Sequence, residues 1–191
     1  MKPVVAVLAL WIGFAVSWAV AMPWRSAPEK TLGFGRELAY RIILVLGGVI
    51  FFIPAHRYDG PLRLWWVPYS TVWPLIGVIA LGFLFAWWAR IWLGNLWSGN
   101  VTKKPDHRVV DTGPYAIVRH PIYTGILIAV YATMALKGTI PGIAGAALIT
   151  IGLWMKAKLE ENWLRQELGT EDYDAYRRRV PMLIPLGPKA K

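Results

Sequence analysis

Residues Val67–Ala89 read VPYSTVWPLIGVIALGFLFAWWA, without a single charged side chain. At a helical rise of about 1.5 Å per residue, such a stretch reaches across the roughly 30 Å hydrocarbon core of a bilayer. Trp65 and Trp66 stand at its start, and Trp87, Trp88 and Trp92 at its end. Indole rings collect at membrane–water interfaces, so the two groups read as aromatic belts one bilayer apart. The stretch therefore predicts a membrane helix. The composition agrees: 56% of the 191 residues are hydrophobic and the mean hydropathy is +0.42, too apolar for an ordinary soluble domain.

Working outward, four more apolar segments appear. Val4–Met22 carries no charge. Lys2 before it and Ala19-Val20-Ala21 near its end resemble a signal peptide, but the apolar run exceeds a usual signal core and reads as a membrane helix. Ile42–Ala55 is shorter; Leu38–Arg41 can extend it, with Arg41 snorkelling to the interface. Pro121–Leu136 and Thr139–Met155 are separated only by Lys137-Gly138, which predicts a tight helical hairpin. Gly138, Gly142 and Gly145 lie at helical spacings and allow close packing there.

Lysine and arginine set an orientation. Arg25, Lys30 and Arg36 fall between segments one and two, and Lys103, Lys104, Arg108 and Arg119 between three and four. Eight more lie after segment five, from Lys156 to Lys191. The opposite side has only Lys2, Arg57, Arg63 and Lys137. The positive-inside rule then places the N-terminus outside and the C-terminus in the cytoplasm. A net charge of +10 spread between apolar blocks suits an anionic membrane surface better than nucleic acid.

Several chemistries drop out. There is no cysteine, hence no disulfide, thiolate metal site or cysteine nucleophile. The apolar segments hold almost no ionisable groups, which argues against a pump or ion channel. Gly33-Phe34-Gly35 follows no strand and lacks the third glycine of a dinucleotide fingerprint. His56 lies on the opposite side from His107 and His120, so the three histidines do not form one metal site. No serine sits in a nucleophile elbow.

Polar residues gather in Gly94–Tyr123 and Lys156–Tyr176. In VRHPIYTG, Val118–Gly125, Pro121 suits the first turn of a helix. Arg119 and His120 then stand at the helix mouth, as a headgroup anchor or as part of a site. Tyr123 can reach back toward polar groups, and Gly125 leaves room for a chain or ligand. KAKLEENWLRQELG continues the fifth segment as a helix to Gly169. Lys156 and Glu160, four apart, share a face. Glu161 and Arg165 read as a solvated pair. EDYDAYRRRVP gives a short last helix, its arginine run a lipid-headgroup contact.

Together, HRVVDTGPYAIVRHPIYTG (His107–Gly125), the hydrophobic hairpin and EENWL…G…YDAYRRRVPMLIP (Glu160–Pro185) resemble the isoprenylcysteine carboxyl methyltransferase family. Its wider group includes bacterial phospholipid methyltransferases. The resemblance spans Gly94–Pro185. It implies an all-α integral membrane protein of about five membrane helices plus cytoplasmic C-terminal helices, with no Rossmann domain. Residues 1–191 form one membrane domain: 1–93 the first three helices, 94–191 a catalytic half. It also implies S-adenosylmethionine as cofactor, a lipophilic or lipidated acceptor, and membrane lipids as surroundings.

By position, the resemblance assigns cofactor contacts to Asn100, His107, Arg108, Val109, Val110, Tyr115, His120, Pro121, Ile122, Tyr123 and Glu160, with Lys156, Glu160 and Arg119 as catalytic groups. Asn100 stands where eukaryotic members have glutamine. Lys156 stands where they have an arginine that holds the substrate carboxylate; lysine lacks the bidentate fork. N-methylation of an ethanolamine phospholipid and S- or O-methylation of a small molecule are the alternative activities. A non-catalytic lipid-binding scaffold and a membrane reductase are alternatives of other classes.

Overall fold

The computed structural model describes residues 2–24, 30–31, 33–58, 60–97, 102–103, 109–168 and 170–189. Five long helices dominate it: α1 (Pro3–Val20), α2 (Phe34–Phe52), α3 (Tyr69–Leu93), α5 (Pro121–Lys137) and α6 (Ile140–Leu168). A single turn, α4 (Pro114–Ile117), precedes α5, and α7 (Thr170–Arg179) follows α6. Two-residue strands, Lys30–Thr31 and Thr102–Lys103, pair antiparallel. Among the described residues, three helices can cross a membrane by length and composition: Pro3–Val20, the Tyr69–Leu96 stretch and Ile140–Gln166. α5 is apolar but has only 17 residues, and α2 carries Arg36, Glu37 and Arg41 in its first turns. Leucines, valines and tryptophans are exposed along the outer faces of these helices, including Val45, Leu81, Leu84 and Trp88. Such an apolar exterior suits a lipid surround.

The element boundaries follow local chemistry. Pro3 and Pro121 each open a helix, where a missing N–H costs nothing. Gly138 ends α5 in the left-handed region, at φ 58°. A Cβ there would sit 2.3 Å from the Trp65 carbonyl oxygen, so only glycine fits. The expected break at Gly138 is present.

The expected tight packing of α5 on α6 is not. The two are joined by a short turn, but α5 lies chiefly along α3 and α6 chiefly along α2. Small residues decide this, because with apolar lipid all round, close backbone approach drives helix pairing. A Cβ on Gly125 would fall 2.4 Å from the Gly82 carbonyl oxygen, and one on Gly82 2.6 Å from that of Gly125. Likewise Gly145 abuts the Phe51 backbone, Gly47 abuts Leu148 and Ile149, and Gly152 abuts Leu44. As residue numbers fall on one helix and rise on the other, each pair runs antiparallel. α1 is tied in by Trp11, whose indole N–H donates to Thr133 Oγ1 at 3.0 Å and whose ring meets Phe83 edge-on.

Gly125→Val should therefore separate α3 from α5. Overpacking costs of about 1–3 kcal/mol are usual where side chains can yield; here backbone opposes the new atoms. We expect a clear fall in Tm of the detergent-purified protein. Gly13→Val, where nothing lies within 4 Å of the added Cβ, should leave Tm nearly unchanged. Equal melting of both variants would refute the packing account.

Candidate active site

The site is built around the N-terminus of α5. A helix start leaves N–H groups without intrahelical partners, and here the chain's C-terminal segment accepts from its entry. The Arg119 N–H donates to the Pro181 carbonyl at 2.9 Å and the His120 N–H to that of Met182 at 3.1 Å. One turn on, the Thr124 hydroxyl donates to the Leu183 carbonyl at 2.7 Å. Residues 181–183 thus strap the mouth of α5 and fix where His120 and Tyr123 point.

α6 supplies the facing wall. Tyr123 donates its phenol hydrogen to Glu160 Oε1 at 2.7 Å. The Lys156 ammonium lies 3.8 Å from the same oxygen, one helical turn before it. It also stands 5.4 Å from the centre of the Tyr123 ring and 5.8 Å from that of Tyr40, a residue of α2. Tyr40 donates to Glu37 at 3.0 Å. Arg41, expected to snorkel outward, bonds Glu37 as well, its Nε at 3.1 Å. The His120 and Tyr123 rings stack with a 4° interplanar angle. His120, Tyr123, Lys156 and Glu160, read from two motifs distant in sequence, therefore converge.

Glu161 overturns its sequence reading. It is fully buried, not solvated, and does not pair with Arg165. Its Oε1 accepts from Arg119 Nε at 2.7 Å and faces His120 Nε2 at 3.3 Å. Its Oε2 accepts from Arg177 Nε at 3.2 Å. Arg165 turns to Asp174 of α7, at 2.6 Å, so a tertiary pair displaces the i,i+4 pair. Part of the arginine run likewise takes protein partners: Arg177 also bonds Asp174, and at the surface Arg179 bonds Asp111 at 2.9 Å.

Arg119 is buried with Glu161. Its Nη1 donates to the carbonyl oxygens of Arg177, at 3.0 Å, and of Val180. These belong to the end of α7, so the guanidinium acts as a cap and a tie. Among the described residues, its side chain bonds Glu161, Arg177 and Val180 rather than Glu160 or Lys156.

The remaining expected residues lie beside this wall. Tyr115, Ile122 and Trp97 form an apolar cluster with Val110 against it, and Pro121 is fully buried. Val109 packs instead on Tyr173, Tyr176 and Val180. Tyr176 donates to the Tyr115 carbonyl at 2.7 Å. Asn100, His107 and Arg108 fall outside the described residues. The sequence reading missed Glu161, Tyr40 and Arg177. A second glutamate adjoining Glu160 at a membrane exit was the available signal for Glu161.

His120 is flanked by carboxylates on both sides: Nδ1 is 3.5 Å from Glu160 Oε2 and Nε2 3.3 Å from Glu161 Oε1. Burial favours the neutral ring, but the two acidic partners outweigh it and raise the histidine above its ordinary value.

Against known proteins, residues 75–166 match the profile of the isoprenylcysteine carboxyl methyltransferase family. Arg119, His120, Tyr123, Lys156, Glu160 and Glu161 all lie within them. Over these residues, just under half of the chain, it is similar to that family. Among curated members and relatives, it is 34% identical over 119 residues to the Schizosaccharomyces pombe protein-S-isoprenylcysteine O-methyltransferase, covering 59% of this chain and 49% of that protein. It is 32% identical over 138 residues to methanethiol S-methyltransferase 2 of Bradyrhizobium diazoefficiens, covering 65% and 51%. It is 26% identical over 149 residues to protein-S-isoprenylcysteine O-methyltransferase B of Arabidopsis thaliana, covering 76% and 73%. The chain spans about half the length of the first two. α7 and the C-terminal strap, which close the site, lie beyond the segment that the family profile matches.

Proposed function

We propose that this chain is a membrane methyltransferase that uses S-adenosylmethionine and acts on a lipophilic acceptor, with carboxyl O-methylation of an isoprenylcysteine-like molecule as its first reading. The observation that carries the proposal is the meeting of Tyr123, His120 and Lys156 around Glu160, all within the family segment. The donor set fits the cofactor chemically. Glu160 is a partly accessible carboxylate, able to accept from ribose hydroxyls or an ammonium group and to attract a sulfonium. The Tyr123 and Tyr40 rings offer faces that already hold one cation. Val110, Tyr115, Pro121 and Ile122 supply the apolar wall, with Val109 behind it; Asn100, His107 and Arg108 complete the proposed set.

When bound, the cofactor supplies a methyl carbon made electrophilic by the adjoining sulfonium. The protein's work is then to hold the acceptor in line and exclude water. A carboxylate acceptor is ionised at neutral pH and needs no base, and the Lys156 ammonium can hold its charge. A thiol acceptor is the second reading, favoured by the similarity to a methanethiol S-methyltransferase and by a Lys156 charge already balanced by Glu160. The five-span arrangement, with the N-terminus outside and the site on the cytoplasmic face, belongs to the same proposal.

The test is saturable binding of S-adenosylmethionine, displaced by S-adenosylhomocysteine, followed by incubation of labelled donor with a prenylcysteine, a cell lipid extract or methanethiol. No displaceable binding would sink the proposal. Lys156→Ala sharpens it. For a carboxylate acceptor we expect the acceptor KM to rise roughly tenfold, the worth of one charge-assisted contact, while donor affinity stays within about twofold. A thiol acceptor should leave KM unmoved. Lys156→Arg should preserve carboxylate methylation, because the guanidinium fork matches a carboxylate.

A further inference from the structure

Consecutive residues on a helix point about 100° apart and do not usually serve one partner. Glu160 and Glu161 do, because His120 stands between them at the mouth of α5. Its Nδ1 faces Glu160 Oε2 at 3.5 Å and its Nε2 faces Glu161 Oε1 at 3.3 Å. A neutral imidazole has one donor and one acceptor nitrogen. Whichever tautomer formed, a ring lone pair would be turned on a carboxylate oxygen. Only the imidazolium, with two N–H donors, complements both.

We propose that Glu161 is a positioning residue that keeps His120 doubly protonated, one N–H directed at each carboxylate, and through it orients Glu160 toward the pocket. Glu161 is fully buried, with both oxygens occupied by Arg119, Arg177 and His120, so it acts through His120. Other charges compete. Arg119, adjoining in sequence, and Arg177 of α7 neutralise Glu161; Lys156 of α6 neutralises Glu160. Tyr123 on α5 and Tyr173 on α7 face the same acidic pair as phenols, and Tyr40 on α2 lies beyond Lys156, bonded to Glu37. The net bias still favours the cation. The sign follows: a histidine raised in the folded state adds stability that is complete below its unfolded value near 6.5 and is lost as pH rises through the folded one.

The charge state of His120 stands independently of the proposed activity; the effect on the donor rests on it. With only three histidines in the chain, ring-labelled histidine NMR of the full-length protein in micelles is direct. The His120 signal is the one lost in His120→Asn. In the wild type, without donor, it should titrate above 6.5. Glu161→Gln should lower that midpoint by about 1 unit or more, as removal of a contacting carboxylate does, and Glu160→Gln should do likewise. Glu161→Gln should also weaken S-adenosylmethionine binding about tenfold by calorimetry, with Glu161→Asp restoring part. A wild-type midpoint at or below 6.5, or one unmoved by Glu160→Gln, would overturn the inference even if Glu161→Gln fails to fold. Donor affinity unchanged in folded Glu161→Gln would overturn the positioning role. A raised midpoint in a protein that binds no S-adenosylmethionine would support the charge state while refuting the proposed function.

Discussion

Glu160→Gln is expected to weaken S-adenosylmethionine binding by about 10- to 100-fold, or roughly 1.4–2.7 kcal/mol, the range for losing charge-assisted hydrogen bonds. The substitution keeps the shape and leaves an acceptor oxygen for the Tyr123 hydroxyl, now 2.7 Å from the carboxylate. What disappears is the negative charge facing Lys156 and His120. The Lys156 ammonium then lines the pocket without its counter-charge, and a cofactor bearing a sulfonium and an ammonium group meets repulsion where it met attraction. Methyl transfer should fall at least as far at subsaturating donor, and should recover in part at high donor concentration. Calorimetry and initial rates check both. Because Glu160 is partly accessible, Tm should move little. Wild-type donor affinity in this variant would remove Glu160 from the binding site.

Arg119→Met should act in the opposite way, on folding first. The side chain joins Glu161, the end of α7 and, through its own backbone, the strap at Pro181. Removing one partner of a buried ion pair costs about 3–5 kcal/mol, because the other charge stays buried. For a chain of this length that lowers Tm by roughly 6–20 °C. Hydrogen exchange should show the largest loss of protection in 176–183 and at the first turn of α5. Arg178→Ala, next to Arg177 on α7 but exposed, serves as the control and should melt as the wild type does. A tolerant Arg119→Met would mean that His120 and Arg177 suffice to hold Glu161.

The helices were legible because a membrane helix is written in local chemistry: apolar runs, prolines at N-termini, Gly138 at a C-terminus. Half of the site was legible too. Lys156 and Glu160 share a helix face by spacing alone, and His120-Pro121 marks a helix mouth. What spacing cannot convey is choice among partners. Glu161 has Arg165 at the ideal helical distance, yet takes Arg119 and Arg177, because it faces inward and they can be buried with it. The same holds for Arg90, which is buried between Trp24 and Trp97 and donates to the Gly94 and Ala21 carbonyls. It is a cation near the end of α3, and its position in the sequence names none of these partners. Helix pairing was misread for a related reason. Small residues announce close approach but not to whom, and Gly145 meets Phe51 of α2 where the sequence neighbour α5 was expected.

That pairing turns the molecule into a book of two leaves, one made of α3 and α5, the other of α2 and α6. His120 and Tyr123 are printed on the first leaf; Lys156, Glu160 and Tyr40 on the second. The distances that matter for chemistry are therefore set by the gutter between the leaves as much as by any reactive group. A change at Gly47 or Gly152 shifts the second leaf's own binding, not the gutter directly, and so alters α6 as a whole, carrying Lys156 and Glu160 together. Their mutual spacing would survive while their alignment with Tyr123 would not. Evolution can thus retune such a site from two or more helical turns away, by sliding one page against the other and leaving every word on it unchanged.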